Sequence, residues 1–128
     1  NLENLKKERV WMKSGAYLVI EQTEAMVVID VNTGKSVDKH SFEEHLLRIN
    51  SEAAVEVCRQ LRLRNLSGII VVDFINMKQP GSMDVIKDIL EQELAKDSVP
   101  AALDVTKLSL VELTRKKIRK SLKEQLTK

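Results

Sequence analysis

A chain of 128 residues, 43% hydrophobic and 31% charged, has the composition of one ordinary globular domain able to bury a continuous core, not of a disordered tail. A net charge of +2 is too small to indicate nucleic acid by its sum, and the single cysteine, Cys58, excludes an internal disulfide or a multi-cysteine zinc site within the chain. No apolar run approaches the roughly 20 residues of a membrane span, and the polar stretch Asn1 to Arg9 is unlike a secretion signal, so the reading is a cytoplasmic protein without membrane contact.

In chain order, the opening segment is polar and lacks an initiator methionine, which reads as a piece of a longer parent. Strands are predicted over Tyr17 to Ile20 and Met26 to Val31, with Thr23-Glu24 between them short enough for a hairpin. A helix follows from about Ser41 to Arg64. Ser41 and Glu44 fit a capping box, and Leu46, Asn50, Ala54, Val57 and Leu61 recur at helical spacing. Asn50 is the polar member of that stripe and either belongs to it or marks a break between two helices. Cys58, among Val55, Val57 and Leu61, reads as a small core residue rather than a reactive thiol.

A third strand covers Ile69 to Ile75. Like Met26 to Val31 it is apolar at nearly every position, the pattern of a strand covered on both faces. A second helix follows Pro80-Gly81, with Ser82 as its cap and Met83, Ile86, Leu90 and Leu94 facing inward. A weaker strand spans Ala101 to Val105. A last helix is predicted from about Ser109 to Leu126, with Val111, Ile118, Leu122 and Leu126 as its apolar stripe. The sum is a single domain over residues 1–128 of the α/β class, a layered domain with a mixed β-sheet and packed helices.

Both central strands end in an aspartate with an asparagine just beyond: Ile29-Asp30-Val31-Asn32 and Val72-Asp73-Phe74-Ile75-Asn76. A carboxylate at the edge of an apolar core loses hydration, and two on neighbouring strands repel each other. A magnesium ion between them would relieve both, since Mg²⁺ takes one or two carboxylates and keeps several waters. The plainer alternative is that each aspartate caps a turn or accepts a salt bridge. Asp104 is a weaker third candidate. His40 and His45 read as solvated surface residues, and Asn32-Thr33-Gly34-Lys35 lacks the Walker pattern. Trp11 and Tyr17 are too few to make an aromatic base-stacking platform. Basic residues gather at Arg59, Arg62 and Arg64 and again from Arg115 to Lys123, as solvated helix faces or as phosphate contacts.

Three blocks resemble the ribonuclease E/G family: Ser14 to Ala25 running into Ile29-Asp30-Val31-Asn32-Thr33-Gly34-Lys35; Asn50-Ser51-Glu52-Ala53-Ala54 with Arg59 to Arg64 and Gly68 to Ile75; and Leu110 to Lys117. The resemblance implies a subdomain similar in fold to deoxyribonuclease I and a Mg²⁺-dependent endoribonuclease. Such an enzyme would cut single-stranded RNA to 5′-phosphate and 3′-hydroxyl products in RNA processing and decay. It implies that Asp30 and Asp73 hold the ion, with Asn32 fixing a carboxylate or a metal-bound water, and that Lys35, Arg62 and Arg64 contact RNA. The chain departs from the family pattern at Asn76, where a second aspartate is usual, and in the stretch Asp97 to Ala102, which lacks the basic residue relatives use to sense an RNA 5′-monophosphate. It also contains neither the S1 barrel nor the paired-cysteine zinc link, so the expected partners are the missing domains of a homo-oligomeric parent, and the piece alone is expected to cut slowly or not at all. The alternative is a catalytically silent RNA-binding or structural module of a larger RNA-processing protein.

Overall fold

Six strands and two helices follow one another in the computed structural model, which describes residues 6–34, 42–106 and 109–117. They are β1 (Lys6–Trp11), β2 (Tyr17–Gln22), β3 (Val27–Asn32), α1 (Phe42–Leu63), β4 (Gly68–Asp73), α2 (Ser82–Ala95), β5 (Ala101–Val105) and β6 (Leu110–Arg115). The strands make one sheet in the order β1-β2-β3-β4-β6-β5. Every neighbouring pair is antiparallel except β3 and β4, which run parallel. The fold is therefore the mixed-sheet α/β layered domain that the sequence predicts. A parallel pair needs a long crossover, and the 22-residue α1 supplies it.

The core lies on one face of the sheet. Leu18, Ile20, Ile29, Val31, Ile70, Val72, Val111 and Leu113 point inward and join Ala53, Ala54, Val57 and Leu61 of α1 and Ile86 and Leu90 of α2 in one cluster. Burial of an aliphatic side chain of this size contributes about 1.5–3 kcal/mol, so this cluster is the main source of stability. Among the described residues both helices lie on that face. The alternate positions, such as Val19, Val28, Val71 and Ile69, are half-buried or exposed. The expectation of strands covered on both faces is thus not met by the described residues: valines and isoleucines fill the open side as well because they suit a pleated surface.

Three further expectations are corrected. The polar segment before Trp11 is a strand, β1, paired with β2 through a tight turn at Met12 to Ala16. The last helix is absent over residues 110–115, which form β6 between β4 and β5. Its inner Val111, Leu113 and Arg115 alternate with outer Leu110, Glu112 and Thr114, and sheet pairing on both sides outweighs a helical stripe anchored mainly further on. The remainder of that prediction, from residue 118, lies outside the described residues, as do Ser41 and His40. Ser82 does not cap α2. Gly81 is the N-cap, at φ 86°, with no side-chain bond to the helix.

Asn50 marks no break. It is fully buried in a continuous helix, donating from Nδ2 to the Ile75 carbonyl (2.8 Å) and accepting at Oδ1 from the Ile75 N–H (3.0 Å). The predicted core role of Cys58 holds: it is buried, and burial, with the Glu93 charge second, pushes its thiol up to about 12.

Arg115 and Asp97 form a nearly water-free ion pair, with side chains 3% and 4% exposed. The guanidinium donates to both Asp97 oxygens (2.9 and 3.3 Å), to Asn65 Oδ1 (3.0 Å) and to the Leu66 carbonyl (2.9 Å). The bond from Arg115 holds the Asp97 carboxyl below its usual range. Arg115→Met strands that carboxylate and should cost about 3 kcal/mol in urea unfolding. The stabilisation from Asp97 is complete above the carboxyl's unfolded pKa and is lost as pH falls through its lowered folded value. Stability measured against pH in the acid range should therefore fall less in Arg115→Met than in the parent chain.

Candidate functional site

The parallel register places Asp30 directly opposite Asp73, each at the carboxyl end of its strand. Inward burial of Ile29 and Val31 on one strand, and of Val72 on the other, turns both aspartates to the open face. With neighbouring strands about 4.8 Å apart, the two carboxylates stand side by side. Both residues are exposed, so loss of hydration is smaller than the apolar flanks suggest, and mutual repulsion becomes more important. What burial the Asp30 carboxyl retains still raises its pKa most. The charge of Asp73 raises it next, and Glu21 adds less. The Asn32 side chain and the Val31 N–H pull it part of the way back.

Asn32 follows two residues later on the same face, and its Nδ2 also donates to the Asp30 carbonyl (3.4 Å). Beyond it the chain turns at Gly34, at φ 76°, where a Cβ would run into the Gly15 carbonyl; only glycine fits there. Lys35 lies outside the described residues. Three side chains of α1 hold the loops at this end. Asn50 grips Ile75, Glu43 accepts from the Lys78 N–H (3.1 and 3.3 Å), and Glu52 accepts from the Ser14 hydroxyl (2.5 Å) and N–H (3.2 Å).

Arg62 and Arg64 are not brought to the carboxylate pair. Arg62 lies in the last turn of α1 and Arg64 just beyond it, before β4 begins, whereas Asp73 ends β4, about 17 Å further along. Arg62 donates to the Glu93 carbonyl (3.5 Å), and Arg64 bonds Gln60 (2.6 Å) and pairs with Glu8 (2.8 Å). Asp104 lies on the edge strand β5, opposite Glu112, two strands from Asp73. Asn76 is exposed in the loop after β4. Among the described residues no three His, Cys, Asp or Glu side chains cluster as metal ligands. That donor set suits Mg²⁺, which is content with two carboxylates and water, and not a cation that needs a full protein cage.

One feature of this face escaped the sequence reading. Trp11 pairs with Tyr17, and Tyr17 with Asn32, in one row across three strands. The Trp11 and Tyr17 rings lie 4.8 Å apart, and the Arg9 guanidinium sits 4.3 Å from the Tyr17 centroid and 5.5 Å from that of Trp11. The available signal was Ser14-Gly15 centred between the two aromatics, as a hairpin turn would be.

A sequence profile described as "Ribonuclease E/G family" matches residues 1–118. The chain belongs to the ribonuclease E/G family. It is 41% identical over 126 residues to Ribonuclease G of Escherichia coli (strain K12), covering 98% of this chain and 26% of that protein. Against Ribonuclease G of Haemophilus influenzae it is 44% identical over 120 residues, 93% of this chain and 24% of the relative. Against Ribonuclease E of Nostoc sp. it is 46% identical over 112 residues, 87% and 16% respectively. The chain thus spans about a quarter of the ribonuclease G relatives and less of the ribonuclease E one. Among the described residues of this family member, no helix is long and apolar enough to cross a membrane.

The raised Asp30 pKa gives a signed prediction for the metal-free chain. A carboxyl with a raised folded pKa favours folding below its unfolded pKa, and that contribution is lost as pH rises through the folded value. Asp30→Asn removes the repulsion with Asp73 and should stabilise the chelator-treated protein at neutral pH by less than about 1 kcal/mol. The gain should shrink towards acid pH. Melting temperatures of both proteins in EDTA across the pH range read this directly.

Proposed function

We propose that this chain is the metal-binding catalytic portion of a Mg²⁺-dependent endoribonuclease that cuts single-stranded RNA to 5′-phosphate and 3′-hydroxyl ends. The observation that carries the reading is the in-register pairing of Asp30 and Asp73 on the open face of the sheet. Family membership supports it, since the relatives carry the names Ribonuclease G and Ribonuclease E.

Asp30 and Asp73 would hold one Mg²⁺. Bound there, the ion would polarise the scissile phosphate and make a hydroxide accessible near neutral pH. Asn32, through its amide, offsets part of the upward push on the Asp30 carboxyl and would help to aim it. The open face leaves room for a phosphodiester to approach both carboxylates. Lys35, next in sequence after Gly34, would add a phosphate contact at this end. Arg62 and Arg64 would touch only RNA that continues across the sheet to its far edge. A cytoplasmic setting, completion by further domains and homo-oligomeric assembly of a longer protein belong to the same reading.

In the full-length protein, Asp30→Asn and Asp73→Asn should each lower Mg²⁺-dependent cleavage of a labelled single-stranded RNA by about two orders of magnitude or more, because a metal ion supplies several kcal/mol of transition-state stabilisation. Circular dichroism should show the fold intact. Cleavage at the parent rate by either variant in matched Mg²⁺ would overturn the assignment. RNA binding without cleavage by the unmutated full-length protein would favour the silent RNA-binding module.

The 128-residue chain by itself should cleave slowly. A phosphate misplaced by about 1 Å costs on the order of 100-fold, and a few phosphate contacts give only salt-sensitive binding with Kd of roughly 10⁻⁴–10⁻⁶ M. Robust cutting by the chain alone, absent from Asp73→Asn, would show that it positions RNA without further domains.

A further inference from the structure

The open face carries two adjoining rows of side chains. One runs Arg9, Val19, Asp30, Asp73 across β1 to β4; the next runs Trp11, Tyr17, Asn32 across β1 to β3. Cross-strand partners share a face, so the aromatic pair and the carboxylate pair are presented to the same side. Asn32 is the shared border: it adjoins Tyr17 in its own row and bonds within the carboxylate row. At about 4.8 Å per strand and about 7 Å between the rows, Tyr17 lies about 12 Å and Trp11 about 16 Å from Asp73. A few nucleotides of single strand bridge such a span.

Trp11 is 59% exposed, the second most exposed large hydrophobic residue among those described, and Tyr17 and Arg9 lie beside it on the same face. Tyr17 backs it at 4.8 Å, and Arg9 caps the Tyr17 ring at 4.3 Å. A rigid, exposed indole on a β-sheet, braced by a tyrosine and a guanidinium, is a surface on which a flat π-system can stack at little entropic cost. The neighbouring cation adds affinity for the phosphate attached to such a ring. A solvated surface tryptophan with no ligand would gain nothing from this bracing.

We propose that Arg9, Trp11 and Tyr17 form a nucleobase-stacking subsite, which takes an unpaired base of the RNA strand a few nucleotides from the phosphate at Asp30 and Asp73. It rests on the reading of this chain as an RNA enzyme and extends it to how the strand is gripped. Bases in a duplex are already stacked on both faces, so the subsite selects single strands. Every base offers a π-face, so it does so with little regard to sequence.

Trp11 is the only tryptophan of the chain, so its fluorescence reports on the subsite alone. The test is titration with a short unstructured RNA in EDTA, which excludes cleavage and makes the result independent of metal binding. Tryptophan quenching is followed in the parent chain, and anisotropy of end-labelled RNA in the variants. Expected are quenching on binding, roughly five- to a hundredfold weaker binding for Trp11→Ala, and near-parent binding for Trp11→Phe, which keeps a π-face. An abasic strand with the same phosphates should bind Trp11→Ala and the parent chain alike. Equal RNA affinity of Trp11→Ala and the parent overturns the proposal, as does an abasic strand that binds the parent as tightly as the base-bearing one. Fluorescence that changes with protein concentration but not with RNA also overturns it, by marking Trp11 as a protein contact. Failure of the Asp30→Asn and Asp73→Asn cleavage test would leave these binding results untouched, so the two readings fail separately.

Discussion

The parallel pairing of β3 with β4 is the constraint on which the site depends. Antiparallel neighbours bring the end of one strand beside the start of the next, so two strand-end residues seldom meet. Only a parallel pair aligns two carboxyl ends, and here it does so in register, Asp30 against Asp73. The same pairing requires a crossover, and α1 both makes it and packs the core beneath it. The helix then serves the site again: Glu43, Asn50 and Glu52 fasten the loops that emerge around the carboxylates. Those loops are fastened by two-point polar bonds in addition to the apolar packing of Met12, Ala16, Phe74, Ile75 and Met77. That makes their geometry more specific than loops on a surface usually have.

The two ends of the sheet differ in how they treat charge. At the Gly68 end Arg115 meets Asp97 with each guanidinium nitrogen bonded, and the pair is almost withdrawn from water. At the Asp73 end two like charges are set side by side, and the described residues provide Asn32 but no cation bonded to either carboxylate. The chain thus pairs its charges at one end of the sheet and leaves two like charges opposed at the other, a local cost of the kind that the proposed metal ion would relieve.

The distribution of charge on the open face matters more to the proposed reading than the net charge of the chain. Net charge says little when Asp30, Asp73 and Arg9 act within a few strands of one another on a single surface. Exposed rings and a guanidinium stand at one flank of the sheet and the paired carboxylates at the other, so the proposed base and phosphate contacts would fall on different parts of the same face.

The sequence by itself determined the elements whose signals are local. The β-branched runs of β2, β3 and β4, the apolar stripe of α1 and the matched Asp-x-Asn and Asp-x-x-Asn endings all lie within a few residues of one another, and the long ordered motifs were enough for the family. Tertiary structure decided what depends on partners distant in the chain. β1 is polar along one side and becomes a strand because β2 offers it hydrogen bonds. Residues 110–115 have a helical look in isolation, yet the gap between β4 and β5 makes them β6 and buries Arg115. Arg62 and Arg64 share a motif with the site and lie a strand's length from it, because a crossover helix runs back against the strands it joins. Trp11 and Tyr17, six residues apart and too few to suggest a platform by count, are laid together by a hairpin with their rings 4.8 Å apart. Periodicity records which way a side chain faces; only the pairing of strands records what it faces.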